Sequence, residues 1–216
     1  MVAQAQVCDK RKANVLTIGQ SDTHLSQRTD DPGKMMAKQK KDPEKMKAKQ
    51  KQVMHRNAEL IRDFYTCFAN RDARGMAACY HPSVKFSDEV FVELEGARAN
   101  AMWRMLCERG KDLRIEFRDI EANDSTGRAH WEAWYTFSAS GRPVHNKIDA
   151  HFEFRGKKIF RHRDTFDFYA WASQALGLTG RLLGWSNFFK KRVRAKAAKS
   201  LTAFMRGAHK PSSRSR

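Results

Sequence analysis

The 216-residue chain has no apolar run of eighteen residues and no hydrophobic segment of secretory type, so a soluble, cytoplasmic protein is expected. It contains no Cys-x-x-Cys pair, no Gly-x-Ser-x-Gly and no glycine-rich phosphate loop. The four cysteines, Cys8, Cys67, Cys79 and Cys107, are scattered, which suits a reducing compartment better than a disulfide framework. Acidic residues are absent altogether from residues 168–216, where eleven Lys and Arg occur. The first 56 residues are also basic, 13 against 6, whereas residues 57–167 hold 18 charges of each sign. The net charge of +18 therefore belongs to the two ends. A neutral middle with cationic extensions argues against a nucleic-acid-binding domain, and nucleic acid is not expected as a partner.

Residues 1–55 are poor in large apolar side chains, and the Lys/Gln-rich segment KMMAKQKKDPEKMKAKQKQ cannot bury enough surface to offset its ordering entropy. This extension is expected to be disordered. From Asn57 onward the pattern changes: Leu60, Ile61, Phe64, Tyr65 and Phe68 recur at helical spacing. Asp72 is placed to cap a second, shorter helix carrying Met76, Ala77 and Tyr80, which Pro82 stops. A short strand, VKFSD, and a third helix through Met102, Trp103, Leu106 and Cys107 follow.

Beyond residue 112 the period falls to two. Segments 113–121, 128–138 and 144–154, and the stretch 161–168 that follows, alternate as half-buried antiparallel strands joined by the turns NDSTG, SGRP and RGKK. Their apolar faces contain Trp131, Tyr135, Ile148 and Phe152, and the last strand contributes Phe160, His162, Asp164 and Phe166. Asp88, Asn146, His162 and Asp164 are polar interruptions of inward faces. They need either mutual hydrogen bonds or a polar cavity. His130, His145 and His151 fall on the opposite face from His162, so no set of metal ligands is expected and no cofactor is called for.

The order of elements, with FYTCFANRDARGMAACYHPSVKFSD at 64–88 and RGKKIFRHRDTFDF at 155–168, resembles the nuclear-transport-factor-2-like superfamily, and most closely its SnoaL-like branch. The resemblance implies an α+β fold, a cone-shaped curved antiparallel sheet packed on the N-terminal helices, over residues 56–168. It implies a small, largely apolar ligand, aromatic or polycyclic, and proton-transfer chemistry of isomerase, cyclase or dehydratase type. By similarity to ketosteroid isomerase, Asp88 takes the place of the general base. The oxyanion-binding Tyr of that enzyme falls on Phe64, one position from Tyr65, and its acidic partner on Ala150. Similarity to SnoaL-like cyclases points to His162 and Asp164. The expected site is thus Asp88, His162 and Asp164 as catalytic groups, with Phe64, Tyr65, Trp103, Trp131, Tyr135 and Asn146 around the ligand.

The outer sheet face mixes Trp134 with His130, Glu132, Lys147, Asp149 and His151, a composition that suits a homodimer interface. The segment 169–216 contains a basic amphipathic helix. Ser186 is its N-cap, and Trp185, Phe188, Phe189, Val193, Ala197 and Leu201 form an apolar stripe. Two destinations fit that stripe: docking on the cone, or contact with an anionic membrane surface or a protein partner. The second would make the chain a non-enzymatic dimeric interaction module.

Overall fold

Residues 54–208 are described in the computed structural model of the chain. The expectations for residues 1–53, which make up nearly all of the basic extension, and for residues 209–216 lie outside them. The first helix, α1 (Arg56–Ala69), starts where the His55 ring accepts the Asn57 N–H at 3.2 Å, and it buries Ile61, Phe64, Tyr65 and Phe68 along one stripe. The carboxylate of Asp72 caps α2 (Ala73–Cys79) by accepting the N–H groups of Arg74 and Gly75.

The sequence pattern carries this helix through to Pro82. Instead it ends at Cys79, and Tyr80 opens strand β1 (Tyr80–Ser87). Pro82 sits inside that strand, in the stretch between Tyr80 and Lys85 where the pairing with the neighbouring strand is irregular and no ladder donor is required of it. The remaining elements are β2 (Leu94–Glu95), α3 (Ala97–Arg109), β3 (Arg114–Ala122), β4 (Thr126–Phe137), β5 (Arg142–Arg155), β6 (Lys158–Thr165), α4 (Phe168–Ala175), α5 (Leu178–Leu183) and α6 (Asn187–Ala208).

The strands form one sheet in the order β2-β1-β6-β5-β4-β3. It is mixed rather than wholly antiparallel, because β1 and β6 pair in parallel. Bulges bend it: one falls between Arg118 and Glu121, where Asp119 takes φ 54°, and another falls in β6 opposite Glu153 and Phe154. The concave face wraps α1 and α3, and the core between them holds Phe64, Tyr65, Phe68, Phe86, Met102, Trp103, Ile148 and Phe152.

The β6 bulge sets which residues of the strand face inward. Gly156 and Lys157, both with positive φ, form a two-residue turn that pairs Arg155 with Lys158 and Phe154 with Ile159. Ile159 is therefore the inward residue, where the alternating pattern had placed Phe160. Phe160 is the extra residue of the bulge. It turns out to meet the Arg155 guanidinium at 3.7 Å and the His81 ring at 5.5 Å. After it, alternation resumes with His162 and Asp164 inward and Arg161, Arg163 and Thr165 exposed.

The C-terminal helices pack on the cone. Trp171, Ala172 and Ala175 of α4 join Val144 and Phe168 in a second core, and Phe189 and Val193 of α6 lean on it. Ser186 caps α6 as its sequence position predicts, accepting the Phe189 N–H at 3.1 Å. Leu201 is fully buried in the main core. Lys190 pairs with the Glu89 carboxylate, and Arg194 Nε donates to the Glu89 carbonyl at 3.0 Å. The apolar stripe foreseen for this helix is divided: Phe189, Val193 and Leu201 turn to the cone, and Trp185 and Phe188 face outward.

Helix α5 meets α4 through Gly180, where a Cβ would lie 1.9 Å from the Ala172 carbonyl oxygen. Backbone and not a flexible side chain fills that space, so Gly180→Ala is expected to force the two helices apart at a cost of about 1–3 kcal/mol. Urea denaturation would read the loss. Unchanged stability would mean that α5 is not held against α4 in solution.

Candidate functional site

The concave sheet face, α3 and α6 enclose a cavity of about 900 Å³. Its size is that of sites for drug-sized ligands. Six of the expected site residues stand in its wall: Asp88, Trp103, Trp131, Tyr135, Asn146 and Asp164. Three do not. Phe64, Tyr65 and His162 are fully buried in the layer behind, where Phe64 stacks on Tyr80 with centroids 5.1 Å apart and Tyr65 on Phe117 at 5.6 Å. The Tyr65 hydroxyl has no hydrogen-bond partner among the described residues, and burial, with the Asp164 carboxylate adding to it, pushes its pKa well above the usual tyrosine value.

Behind the wall runs a chain of buried hydrogen bonds. Trp103 Nε1 donates to Tyr80 Oη at 2.8 Å, Tyr80 Oη lies 2.7 Å from His162 Nδ1, and His162 Nε2 lies 3.0 Å from Asp164 Oδ1. An indole N–H can only donate, so the tyrosine oxygen accepts from it and has its own proton to give. Delivering that proton to Nδ1 makes His162 the Nε2–H tautomer, which then donates to Asp164. Any other assignment strands a hydroxyl proton in a site with no water access. Trp131 Nε1 completes the chain by donating to the same Asp164 oxygen at 3.3 Å. Both bonds fall on Oδ1. The carboxylate is thereby fixed in orientation while its residue lines the cavity.

Asp88 is held differently. Its Oδ1 accepts the backbone N–H groups of Val90, at 2.6 Å, and Phe91, closing the loop that follows β1. Burial raises its pKa to about 7 against the lowering effect of those two bonds, and the carboxylates of Asp164 and Glu89 add smaller upward contributions. Tyr135 accepts the Trp171 Nε1–H at 2.9 Å, and burial lifts its pKa to about 12, so its hydroxyl keeps its proton at neutral pH. Among the described residues no cluster of three His, Cys, Asp or Glu is placed to hold a metal ion.

Sequence reasoning missed Tyr80, Trp171, Phe189 and Val193. Tyr80 had been assigned to a helix end, which hid its alternation with Val84 and Phe86 along β1. Trp171 and the α6 residues lie beyond the segment the resemblance covers. The Trp134 side chain on the outer face is also occupied: the His145 ring stacks on it at 4.4 Å, and the Arg114 guanidinium lies 3.9 Å from its centroid. Glu132 joins this group by accepting from His145 Nε2 at 2.6 Å.

The Asp88 value makes a pH-dependent prediction. Its folded pKa of about 7 lies above the ordinary 3.8, so folding takes up a proton there. The group favours the fold below about pH 4, and that contribution is lost as the pH rises through 7. Asp88→Asn keeps the acceptor oxygen and removes the titration. The stability of the wild type should therefore fall relative to the variant between about pH 4 and 7, by at most about 1.4 kcal/mol per pH unit. Urea midpoints for both proteins across that range provide the measurement, and parallel profiles would show that Asp88 is not desolvated.

Residues 61–162 match the family model described as a SnoaL-like domain. A candidate SnoaL-like polyketide cyclase from Jannaschia sp. CCS1 superposes with a TM-score of 0.52 at 12% identity, over 58% of this chain and 95% of that one. A candidate polyketide cyclase from Xanthomonas campestris pv. campestris reaches 0.48 at 21%, over 56% and 96%. An LEH-like epoxide hydrolase from M. tuberculosis reaches 0.47 at 18%, over 59% and 96%. No curated protein sequence matches significantly. Residues 61–162 are thus similar to the SnoaL-like domains of the nuclear-transport-factor-2-like superfamily, and the Jannaschia structure shares their fold.

Proposed function

We propose that the cone binds a flat, largely apolar molecule bearing a carbonyl group and moves a proton on it, in a reaction of isomerase, cyclase or dehydratase type. The observation that carries this reading is Asp164: a carboxylate in the wall of an aromatic-lined cavity, held by His162 and Trp131 through one oxygen. In this scheme Asp164 is the base that removes a proton alpha to the carbonyl. His162 is a positioning residue, since it is fully enclosed and acts through Asp164. Tyr135, protonated and already accepting from Trp171, offers its own hydrogen to the developing oxyanion. Asp88, with a pKa of about 7, can take up or return a proton near neutrality. Trp103, Trp131 and Phe166 provide flat apolar walls, and Asn146 a polar contact.

The test begins with a thermal-shift screen of polycyclic ketones and hydroxylated aromatics, and continues with hydrogen–deuterium exchange at the alpha carbon of each hit, followed by NMR. Asp164→Asn preserves an acceptor for His162 and Trp131, so its stability should stay within about 1 kcal/mol of wild type. Ligand binding should survive, and exchange should fall by at least about a hundredfold. Undiminished exchange in the variant would remove Asp164 as the base. Absence of any hit would count against the cone as a small-molecule site.

A further inference from the structure

Seven large apolar side chains stand out from the described surface, and all but Val92 come from residues 169–188. Leu178, Leu182, Trp185 and Phe188 are 75%, 70%, 76% and 69% exposed, with Leu183 and Tyr169 beside them at 48% and 45%. Tyr169 belongs to α4, and the others occupy α5, the turn after it and the first turn of α6. Exposed Arg181, Lys191 and Arg192 flank them, and no acidic residue occurs anywhere from 168 to 216. Single exposed leucines are ordinary, but a contiguous apolar knuckle ringed by one sign of charge is not.

We propose that this knuckle docks on the surface of an anionic lipid bilayer, with Leu178, Leu182, Trp185 and Phe188 entering the interfacial region and the cations meeting the headgroups. Charge decides among the possible occupants. A second copy set against the same patch would oppose two wholly cationic segments. The N-terminal segment 1–53, with twelve Lys and Arg against six Asp and Glu, is repelled for the same reason. An anionic membrane supplies both the apolar layer and the counter-charge.

The knuckle is also suited to low dielectric. Trp185 Nε1 donates to the Leu182 carbonyl at 2.9 Å, the Gly184 N–H to Gly180 at 2.8 Å and the Ser186 N–H to Leu183 at 2.9 Å, so entry leaves these donors satisfied. The close approach of Gly180 to Ala172 holds the knuckle on the cone. Leu176 and Thr179, next to it, belong to the cavity wall, so an apolar ligand would reach the cavity from the membrane side.

The experiment is co-sedimentation of the full chain with vesicles of phosphatidylcholine alone and of phosphatidylcholine mixed with phosphatidylserine. Binding is expected to the mixed vesicles and to weaken with salt. The double variant Leu182→Gln/Trp185→Gln should lower partitioning at least about tenfold. Arg181→Gln/Lys191→Gln should lower it by roughly twenty-five-fold, about fivefold for each cation. All four positions are exposed, so thermal melts should match wild type. The proposal is overturned if the wild type does not sediment with the mixed vesicles. It is also overturned if the apolar variant binds as well as wild type, which would assign the binding to electrostatic adsorption of the basic ends. Light scattering that shows a dimer dissolved by Leu182→Gln/Trp185→Gln, without vesicle binding, would give the patch to a second copy.

Discussion

The interior of this protein depends on one constraint: a histidine and an aspartate are enclosed among aromatic rings, and a buried imidazole and carboxylate need hydrogen-bond partners. The sequence Trp103, Tyr80, His162, Asp164, Trp131 meets it with four consecutive bonds that start and end on indole N–H groups. Indole cannot accept, so the chain has a fixed direction, and the direction fixes the histidine tautomer. The same bonds tie α3 to β1, β1 to β6 and β6 to β4. A polar network that links four elements does the work of register specification that a purely apolar core would leave to shape.

Over this frame the cavity is closed by elements that belong to no single part of the chain. Trp131, Tyr135 and Asn146 come from the middle strands, Trp103 from a helix before them, and Phe189 and Val193 from the last helix. Helix α6 is seated by Leu201 at one end and by Glu89 at the other. The helix is thus anchored to an acidic residue of the neighbouring loop, and Lys191, Arg192, Lys196 and Lys199 make no ion pair among the described residues.

Much of the architecture was legible in the sequence because the strands alternate so regularly. Trp131, Ile148 and Phe152 were placed inward from spacing alone, as were His162 and Asp164. Three things were not. Backbone irregularity is invisible to a period count, and for that reason Phe160 and Ile159 exchanged places and Tyr80 was left in a helix. Burial depth was equally hidden: His162 and Asp164 share a face, yet one is sealed behind the wall and the other belongs to it, a difference set by packing from α1 and α3. The helical stripe of 185–201 gave the right residues but not their destinations: Trp185 lies in the turn before α6 and Phe188 faces outward, while Phe189, Val193 and Leu201 pack on the cone.

The bulge at Phe160 acts as a phase shift. Continued without it, the register set by the Gly156–Lys157 turn would pair Phe152 with Arg161 and Ala150 with Arg163, so that two guanidinium groups would replace the imidazole and the carboxylate in the interior. A single extra backbone residue therefore determines the sign of the charge presented to the cavity. It follows that the hairpin from Arg155 to Phe160 tolerates substitution far better than a change of length. Gaining one residue there, with the single bulge kept, would turn the strand inside out and set a cation where the Asp164 carboxylate had been, whereas losing Phe160 itself would only remove the bulge.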